Sequence, residues 1–276
     1  MTISINTNMA SVLAYRGLQA ATNSLGKSMQ RLASGVRINS AADDAGTLSV
    51  TTRMSAKIRS INVAKQNANE GVSLIDVAYS ALEETSNAIQ DIRDMAVEAR
   101  SGTRTSAERT ALQLDVNQLI TEIQRIATET EYNNSNLLNG SFAAKKFQIG
   151  PNIGDTIAVT INAASLASIY MGANGVSVNV ASATSASRTI GVMDSALDAV
   201  NTIRAQLSGI QSRFESIINT SGYAADAYTS AVSGMMDTDI AQESTNLAKQ
   251  SIIQQAGISV LAQAKLQPQL FLKLLE

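Results

Sequence analysis

The stretch MSAKIRSINVAKQNANEGVSLIDVAYSALEETSNAIQDIRDMAVEAR, residues 54–100, decides the fold. Apolar or small residues recur at every seventh position, Met54, Ile61, Ala68, Ile75, Leu82, Ile89 and Ala96. That spacing keeps one stripe of an α-helix turned toward a partner helix. A second stripe, Ala64, Gly71, Ala78, Thr85, Ile92 and Ala99, is mostly small and lets the partner come close. Asp43 and Asp44, in SAADDAG, stand where negative charge complements the positive start of the helix, and Ser101-Gly102 closes it. A helix from about 44 to 100 would run roughly 85 Å at about 1.5 Å per residue, so an elongated molecule is expected.

Working toward the C-terminus, Thr105-Ser106-Ala107-Glu108 reads as a capping box. Leu112, Val116, Leu119, Ile123 and Ile126 then continue at helical spacing, giving a second helix over about 105–130 folded back on the first. After Asn133-Asn134 and Asn139-Gly140 the period changes to two. Phe147 and Ile149, then Ile157, Val159 and Ile161, predict a β-hairpin over about 145–162. Residues 163–188, rich in Ala, Ser, Thr, Gly and Asn, read as a surface loop with one alternating run at Val176, Val178 and Val180. Helical periodicity returns over about 189–232, with Val200, Leu207 and Phe214 on one row and Ile203, Ile210 and Ile217 on the next. The rod-packing residues are thus expected to be Met54, Ile61, Ile75, Leu82, Ile89, Leu119, Ile123, Leu207, Ile210 and Phe214.

Both ends carry amphipathic patterns of their own. Leu18, Leu25 and Leu32 form a row near the N-terminus, with Met29 and Val36 beside it. Gly222 and Gly234 bracket an alanine-rich segment expected to be looser. Asp237-Thr238-Asp239 can then cap a final helix bearing Ile240, Leu247, Ile253, Ala256, Val260, Leu261 and Ala264, which Pro268 should distort or end. No globular body is evident to cover these helices, and a lone amphipathic helix is marginal in water. They are expected to cover each other, within a molecule and between molecules. The self-assembly residues on this reading are Leu18, Leu25, Met29, Leu32, Ile240, Leu247, Ile253, Val260 and Leu261. The fold class is mainly α, an elongated helical coiled-coil rod formed by pairing of N- and C-terminal segments, with a small β-hairpin region in the middle.

Composition removes much chemistry. The 276 residues include no histidine, cysteine or tryptophan, so a Ser-His-Asp triad, a thiol nucleophile and a tetrahedral N/S zinc site are all out of reach. No enzymatic activity, metal or cofactor is expected. The formal charge of −2, with both signs interspersed, offers no basic face for nucleic acid. No apolar run is long enough to insert in a membrane, and the start MTISINTNMASVLAYRG lacks the pattern of a cleaved signal peptide.

Other features have plain readings. Asp43-Asp44 and the pair Asp237 and Asp239 read as helix caps rather than a catalytic or metal-binding carboxylate pair. Glu83-Glu84 and the charges around Asp91 and Arg93 read as a solvated helix face. Met29 and Met54 read as core fillers, while Met235-Met236 stay open between packing and binding. If the stretch from 163 faces outward, Ser165, Ser168, Ser177, Ser182 and Thr184 are candidates for O-linked sugar; an unmodified polar loop is the simpler reading.

SINTN at 4–8, SMQRLASGVRINSAADDAG at 28–46, NANEGVSLIDVAYSALEE at 67–84, EIQRIATETEYNNSNLLNG at 122–140 and FQIG at 147–150 closely resemble the N-terminal half of bacterial flagellin. IRAQLSGIQSRFES at 203–216, DTDIAQES at 237–244, QQAGISVLAQA from 254 and PQLFLKLL to 275 resemble its C-terminal half. The resemblance covers nearly everything except 163–188, so the chain looks like a short flagellin without large outer domains.

The resemblance implies a helical homopolymer, the filament that drives swimming. Residues 1–43 and 235–276 would form an inner coiled-coil tube and residues 44–234 an outer rod. Export would be unfolded, through the flagellar type III apparatus and without a cleaved signal peptide, to an extracellular filament that grows at its tip as the terminal helices fold. Implied partners are other copies of the chain, an export chaperone, the filament cap protein and hook–filament junction proteins. A junction protein of the same family is the alternative function. The family's innate-immune epitope maps to Gln90, Asp91, Arg93 and Met95, with Ala96 and Val97 also fitting the pattern. Asp91 stands where a basic residue is usual, which implies weakened recognition by the flagellin-sensing Toll-like receptor.

Overall fold

The computed structural model describes residues 8–165 and 178–273, with side chains as far as 266. Among these residues the chain is mainly α-helical with two small antiparallel strand pairs. In order they are α1 (Met9–Ser34), α2 (Ala41–Arg100), α3 (Ser106–Glu129), β1 (Glu131–Tyr132), β2 (Ser135–Asn136), β3 (Lys145–Gln148), β4 (Thr156–Val159), α4 (Ala183–Met236) and α5 (Ile240–Lys273). Two compact units divide the chain. One takes residues 1–56 and 227–276, the other residues 57–226.

The middle unit is built on the heptad rows. Ile61, Ala68, Ile75, Leu82, Ile89 and Ala96 are all buried, as are Ala64, Ala78, Thr85, Ile92 and Ala99. Opposite the small residues lies α4. Phe214, fully buried, sits on Gly71 so closely that a methyl group there would stand 2.7 Å from the ring, and it forms a T-shaped pair with Phe147, ring centroids 5.6 Å apart. Along the same pair of helices the Asp76 carboxylate accepts from Gln211, the Tyr79 ring lies 4.5 Å beneath the Arg204 guanidinium, and Arg93 bridges Asp194 at 2.7 Å. These links run in opposite chain directions, so α2 and α4 are antiparallel. Val116 and Ile123 from α3 and Leu207 from α4 are buried in the same core, with Leu119 and Ile210 half-buried against it. Met54 is half-buried in the terminal unit.

The caps form where the sequence places them. Glu108 Oε2 accepts from the Thr105 backbone N–H at 2.7 Å, and Thr105 Oγ1 accepts from the Glu108 N–H at 3.3 Å, closing the capping box of α3. Asn133 and Asn134 both take positive φ, 48° and 62°, between the paired residues Tyr132 and Ser135. That is the backbone a two-residue type I′ hairpin turn requires, and asparagine tolerates it. The second hairpin pairs Phe147 with Ile157 and Lys145 with Val159, and Asn67 on α2 donates to the Gln148 carbonyl at 2.9 Å.

Several expectations are corrected. The helix expected over 189–232 runs from 183 to 236 without a break at Gly222 or Gly234. Each helical glycine costs about 1 kcal/mol, but the segment between them is rich in alanine, the best helix former. The stretch 163–188 is not simply a surface loop: Ala164, Val180 and Ala186 are fully buried in the core, and α4 already begins at 183. Gln113 on α3 holds this chain by accepting from the Val180 N–H at 2.6 Å, and Thr189 and Asn179 exchange two hydrogen bonds. α5 continues through Pro268 to Lys273, so the proline removes a backbone donor without ending the helix. Asp44, with φ −164° and ψ 99°, separates one turn at 41–43 from the long helix proper.

Candidate assembly interface

The terminal unit pairs α1 with α5 in antiparallel register. Asn8 donates to the Ala264 carbonyl at 2.7 Å, and Leu18 lies against Gly257. Gln254 then donates to Thr22 Oγ1 at 3.2 Å, and Arg31 faces Glu243 at 3.8 Å. Beyond the helix ends Val36 bridges Asp237 as an isolated antiparallel pair. Gly35 caps α1 in the left-handed conformation, φ 73°, and its carbonyl accepts from the Thr238 N–H at 3.0 Å. Arg37 donates from its backbone to the Met236 carbonyl and from its guanidinium to the Met235 carbonyl. The corner segments 34–40 and 233–239 are thereby tied together backbone to backbone.

Of the acids at this corner Asp43, Asp44 and Asp239 serve as caps, and Asp237, expected to be one, does not. Asp44 accepts from the Thr47 hydroxyl at 2.6 Å and the Thr47 N–H at 3.0 Å, which hold its carboxyl below the ordinary range. Desolvation pushes the Asp43 carboxyl up, but hydrogen bonds from the Ser40 hydroxyl and the Asn39 and Ser40 N–H groups outweigh it and leave the carboxyl lowered. Asp239 caps α5 by accepting from the Gln242 N–H, while Asp237 accepts from the Ser233 hydroxyl. Among the described residues no group of three or more His, Cys, Asp or Glu side chains could hold a metal ion.

The α1–α5 seam is narrow. Its well-buried members are small or polar, Ala21, Ser28, Glu243 and Ala264, with Leu18, Leu25, Leu32, Leu247 and Leu261 half-buried beside them. The large apolar side chains lie largely outside it. Met9, Leu13 and Met29 on α1 are exposed, as are Ile240, Ile252, Ile253, Ile258, Val260 and Leu266 on α5, with Ile252 reaching 66%. Met29, at 59% exposure, is therefore not a core filler in the single chain. On α5 the apolar residues go all round the helix rather than along one stripe. Large apolar side chains exposed in number on one pair of helices mark a place where another protein packs.

The other candidate residues separate clearly. Gln90 and Asp91 are exposed, Arg93 is engaged with Asp194, Met95 packs half-buried on the core and Val97 is exposed. Ala96 is fully buried and cannot be touched from outside, a correction to its place in the epitope pattern. Asp91 shares a groove between α2 and α3 with Glu84 and with Arg125, which Glu122 and Glu129 clasp from one side each. Of the candidate sugar sites, Ser168 and Ser177 lie outside the described residues. Ser165 is half-buried, Ser182 accepts from the Ser185 N–H at the start of α4, and Thr184 is exposed on that helix. Buried Leu137, Leu138 and Phe142 were missed by sequence reasoning, because a turn-rich stretch with isolated apolar residues has no period to read.

Comparison with known proteins gives the family. Residues 5–143 match the family described as the bacterial flagellin N-terminal helical region, and residues 190–275 its C-terminal helical region. Flagellin FlaB1 of Treponema pallidum is 35% identical over 98% of this chain and 99% of its own length. The flagellar filament 33 kDa core protein of Treponema phagedenis is 36% identical with the same coverage. Among solved structures, Bacillus cereus flagellin superposes with a TM-score of 0.51 at 24% identity, covering 56% of this chain and 88% of that one, and so shares the fold. No helix of the described residues is long and apolar enough to cross a membrane. The chain belongs to the bacterial flagellin family and is a non-enzymatic structural subunit of the flagellar filament, the extracellular appendage of bacterial motility.

Proposed function

We propose that the filament is held together chiefly by the apolar surface that α1 and α5 leave uncovered, each copy burying these faces against the same helices of its neighbours. Residues 1–43 and 235–276 then line an inner tube, and residues 44–234 form the rod around it. The observation that carries this is the exposure of Ile240, Ile252, Ile258, Val260 and Leu266 on a helix whose apolar residues are spread round its circumference. The ends of a free copy stay largely unstructured until they enter the tube, because a narrow seam of small residues offsets little of their ordering entropy. This suits export in an unfolded state through the flagellar type III apparatus and addition at the growing tip. An export chaperone that covers the ends, the cap protein at the tip and junction proteins at the hook are the partners this route requires.

Ile252→Asp is the direct test. Burying the two-thirds of Ile252 now exposed is worth about 1–2 kcal/mol per copy, and a carboxylate placed there adds a desolvation cost. The variant should keep the far-UV circular dichroism and thermal unfolding of the middle unit but fail to pellet as polymer, and electron microscopy should show no tubes. Tubes of normal diameter and yield would refute the inner-tube reading. For the receptor surface, the carboxylates of Glu84, Asp91, Glu122 and Glu129 around Arg125 alone support weak activation of the flagellin-sensing Toll-like receptor. Potent activation by purified monomer would overturn that.

A further inference from the structure

We propose that the pair Arg31–Glu243 sets the register in which α1 and α5 meet. The proposal rests on the assembly reading only in that the paired state must be populated in the filament.

The seam itself specifies register poorly. Its tightly buried residues, Ala21, Ser28 and Ala264, together with Gly257, present shallow, similar surfaces, so a slip by one turn would meet little steric resistance. Charge is distributed very differently. α1 carries Arg16, Lys27 and Arg31 and no acid, while α5 carries Lys249, Lys265 and Lys273 and one acid, Glu243. That single acid is the best-buried charged residue of the pair, at 7% exposure, and it faces Arg31 at 3.8 Å. A buried carboxylate without a cation is strongly unfavourable, and a buried polar pair is the best-attested register device of coiled helices, here the one charged pair beside the Gln254–Thr22 and Asn8–Ala264 hydrogen bonds of the described seam. Slipping one turn in one direction sets Glu243 opposite Gly35, which offers no cation. In the other it meets Lys27, which already bridges Asp43 at 3.7 Å. Either slip also breaks the Val36–Asp237 bridge. Glu243 lies in the first turn of α5, where an acid also suits the helix dipole. That role alone would be indifferent to what lies across the seam.

Because the chain has no cysteine, register can be read by cross-linking the full-length polymer. The native reporter is Leu18→Cys with Gly257→Cys: a Cβ at 257 lies 3.7 Å from that of Leu18, inside the disulfide range of about 3.5–4.5 Å. The slipped reporters are Leu18→Cys with Ile253→Cys and with Leu261→Cys. The quantity measured is the ratio of native to slipped cross-link. With Arg31 and Glu243 in place the native pair should dominate. Glu243→Gln should lower the ratio on the order of tenfold, and Arg31→Glu with Glu243→Arg should restore most of it. An unchanged ratio in Glu243→Gln, or a swap that restores nothing, overturns the proposal. Pelleted polymer measured in parallel reports separately on the assembly reading, since the ratio is taken per cross-linked chain.

Discussion

Gly71 and Gly209 are both interior helical glycines, yet only one of them should gain stability on replacement with alanine. At Gly209, on the exposed side of α4, an added Cβ meets no atom within 4 Å. Gly209→Ala should therefore stabilise the chain by about 0.4–1 kcal/mol, through helix propensity and a less free unfolded state. At Gly71 the same methyl would stand 2.7, 2.9 and 3.1 Å from three ring carbons of Phe214. The ring cannot swing aside, because it is fully buried and packed in a T-shaped pair with Phe147 at an interplanar angle of 79°. Overpacking of this kind costs about 1–3 kcal/mol, so after the propensity gain Gly71→Ala should come out neutral to about 2 kcal/mol destabilised. The propensity gain is common to both variants, and the gap between them therefore measures the clash alone. For a cooperative unit of this size each kcal/mol moves the melting temperature by about 2–4 °C. Thermal melts of the monomer by circular dichroism should place Gly71→Ala several degrees below Gly209→Ala, and Phe214→Leu in the Gly71→Ala background should recover part of the loss. A Gly71→Ala chain that melts at or above Gly209→Ala would refute the claim that the glycine exists to seat the phenylalanine.

Thr105→Ala should cost about 1 kcal/mol by opening the capping box of α3, read as a lowered urea midpoint. Hydrogen bonds from the Thr105 N–H and hydroxyl hold the Glu108 carboxyl below its ordinary value. Its stabilising contribution is therefore complete above the ordinary carboxylate pKa and fades as pH falls through the lowered one. The gap between the wild-type chain and Glu108→Ala should close in acid, and a gap that widens would show the sign to be wrong. The terminal helices carry Arg16, Lys27, Arg31, Lys249, Lys265 and Lys273 against Glu243 alone, so packing copies together brings cations near one another. Raising sodium chloride from about 0.01 to 0.15 M shortens the screening length from about 30 to 8 Å and should increase polymer yield by sedimentation; a fall in yield would contradict the like-charge reasoning.

What the sequence made legible follows from how much regular structure each segment supplies. The seven-residue rows of α2, the Thr105–Glu108 box and the two-residue period from Phe147 to Ile161 are repeated signals, and repetition survives the absence of tertiary information. Val180 stood only in one short alternating run with Val176 and Val178, and Ala164 and Ala186 gave no such signal. They lie in a run of small polar residues that tertiary hydrogen bonds stitch to the core, among them Gln113 on α3 accepting from the Val180 N–H at 2.6 Å and the Leu138 carbonyl accepting from the Ala164 N–H at 2.8 Å. A side chain far away in sequence fixed what local composition could not. The start of α4 was misplaced for a related reason. Ser182 caps the helix through the Ser185 N–H, but in a stretch where serine and threonine are everywhere one cap cannot be told from its neighbours.

The terminal helices pose the opposite difficulty, since their periodicity was readable but its meaning depends on molecules the single chain does not contain. Leu18, Leu25 and Leu32 recur at seven-residue spacing and lie half-buried, whereas Ile252, Ile258 and Val260 are exposed although equally apolar. If one partner helix were all that α5 needed, selection for solubility would leave polar residues on its outer sides, as it does on α3, where Glu122, Arg125 and Glu129 form ion pairs in solvent. The outer sides of α5 instead set Ile240, Ile252, Ile253, Ile258 and Val260 in solvent among their polar residues. An apolar girdle at that cost in solubility is maintained only if something covers it for most of the protein's life, and a second copy, bearing the same uncovered girdle, is the one partner certain to be present at matching concentration. The exposed residues of the isolated chain are on this view the interior residues of the polymer, and the hydrophobic core of the filament is distributed among copies, none of which can complete it alone.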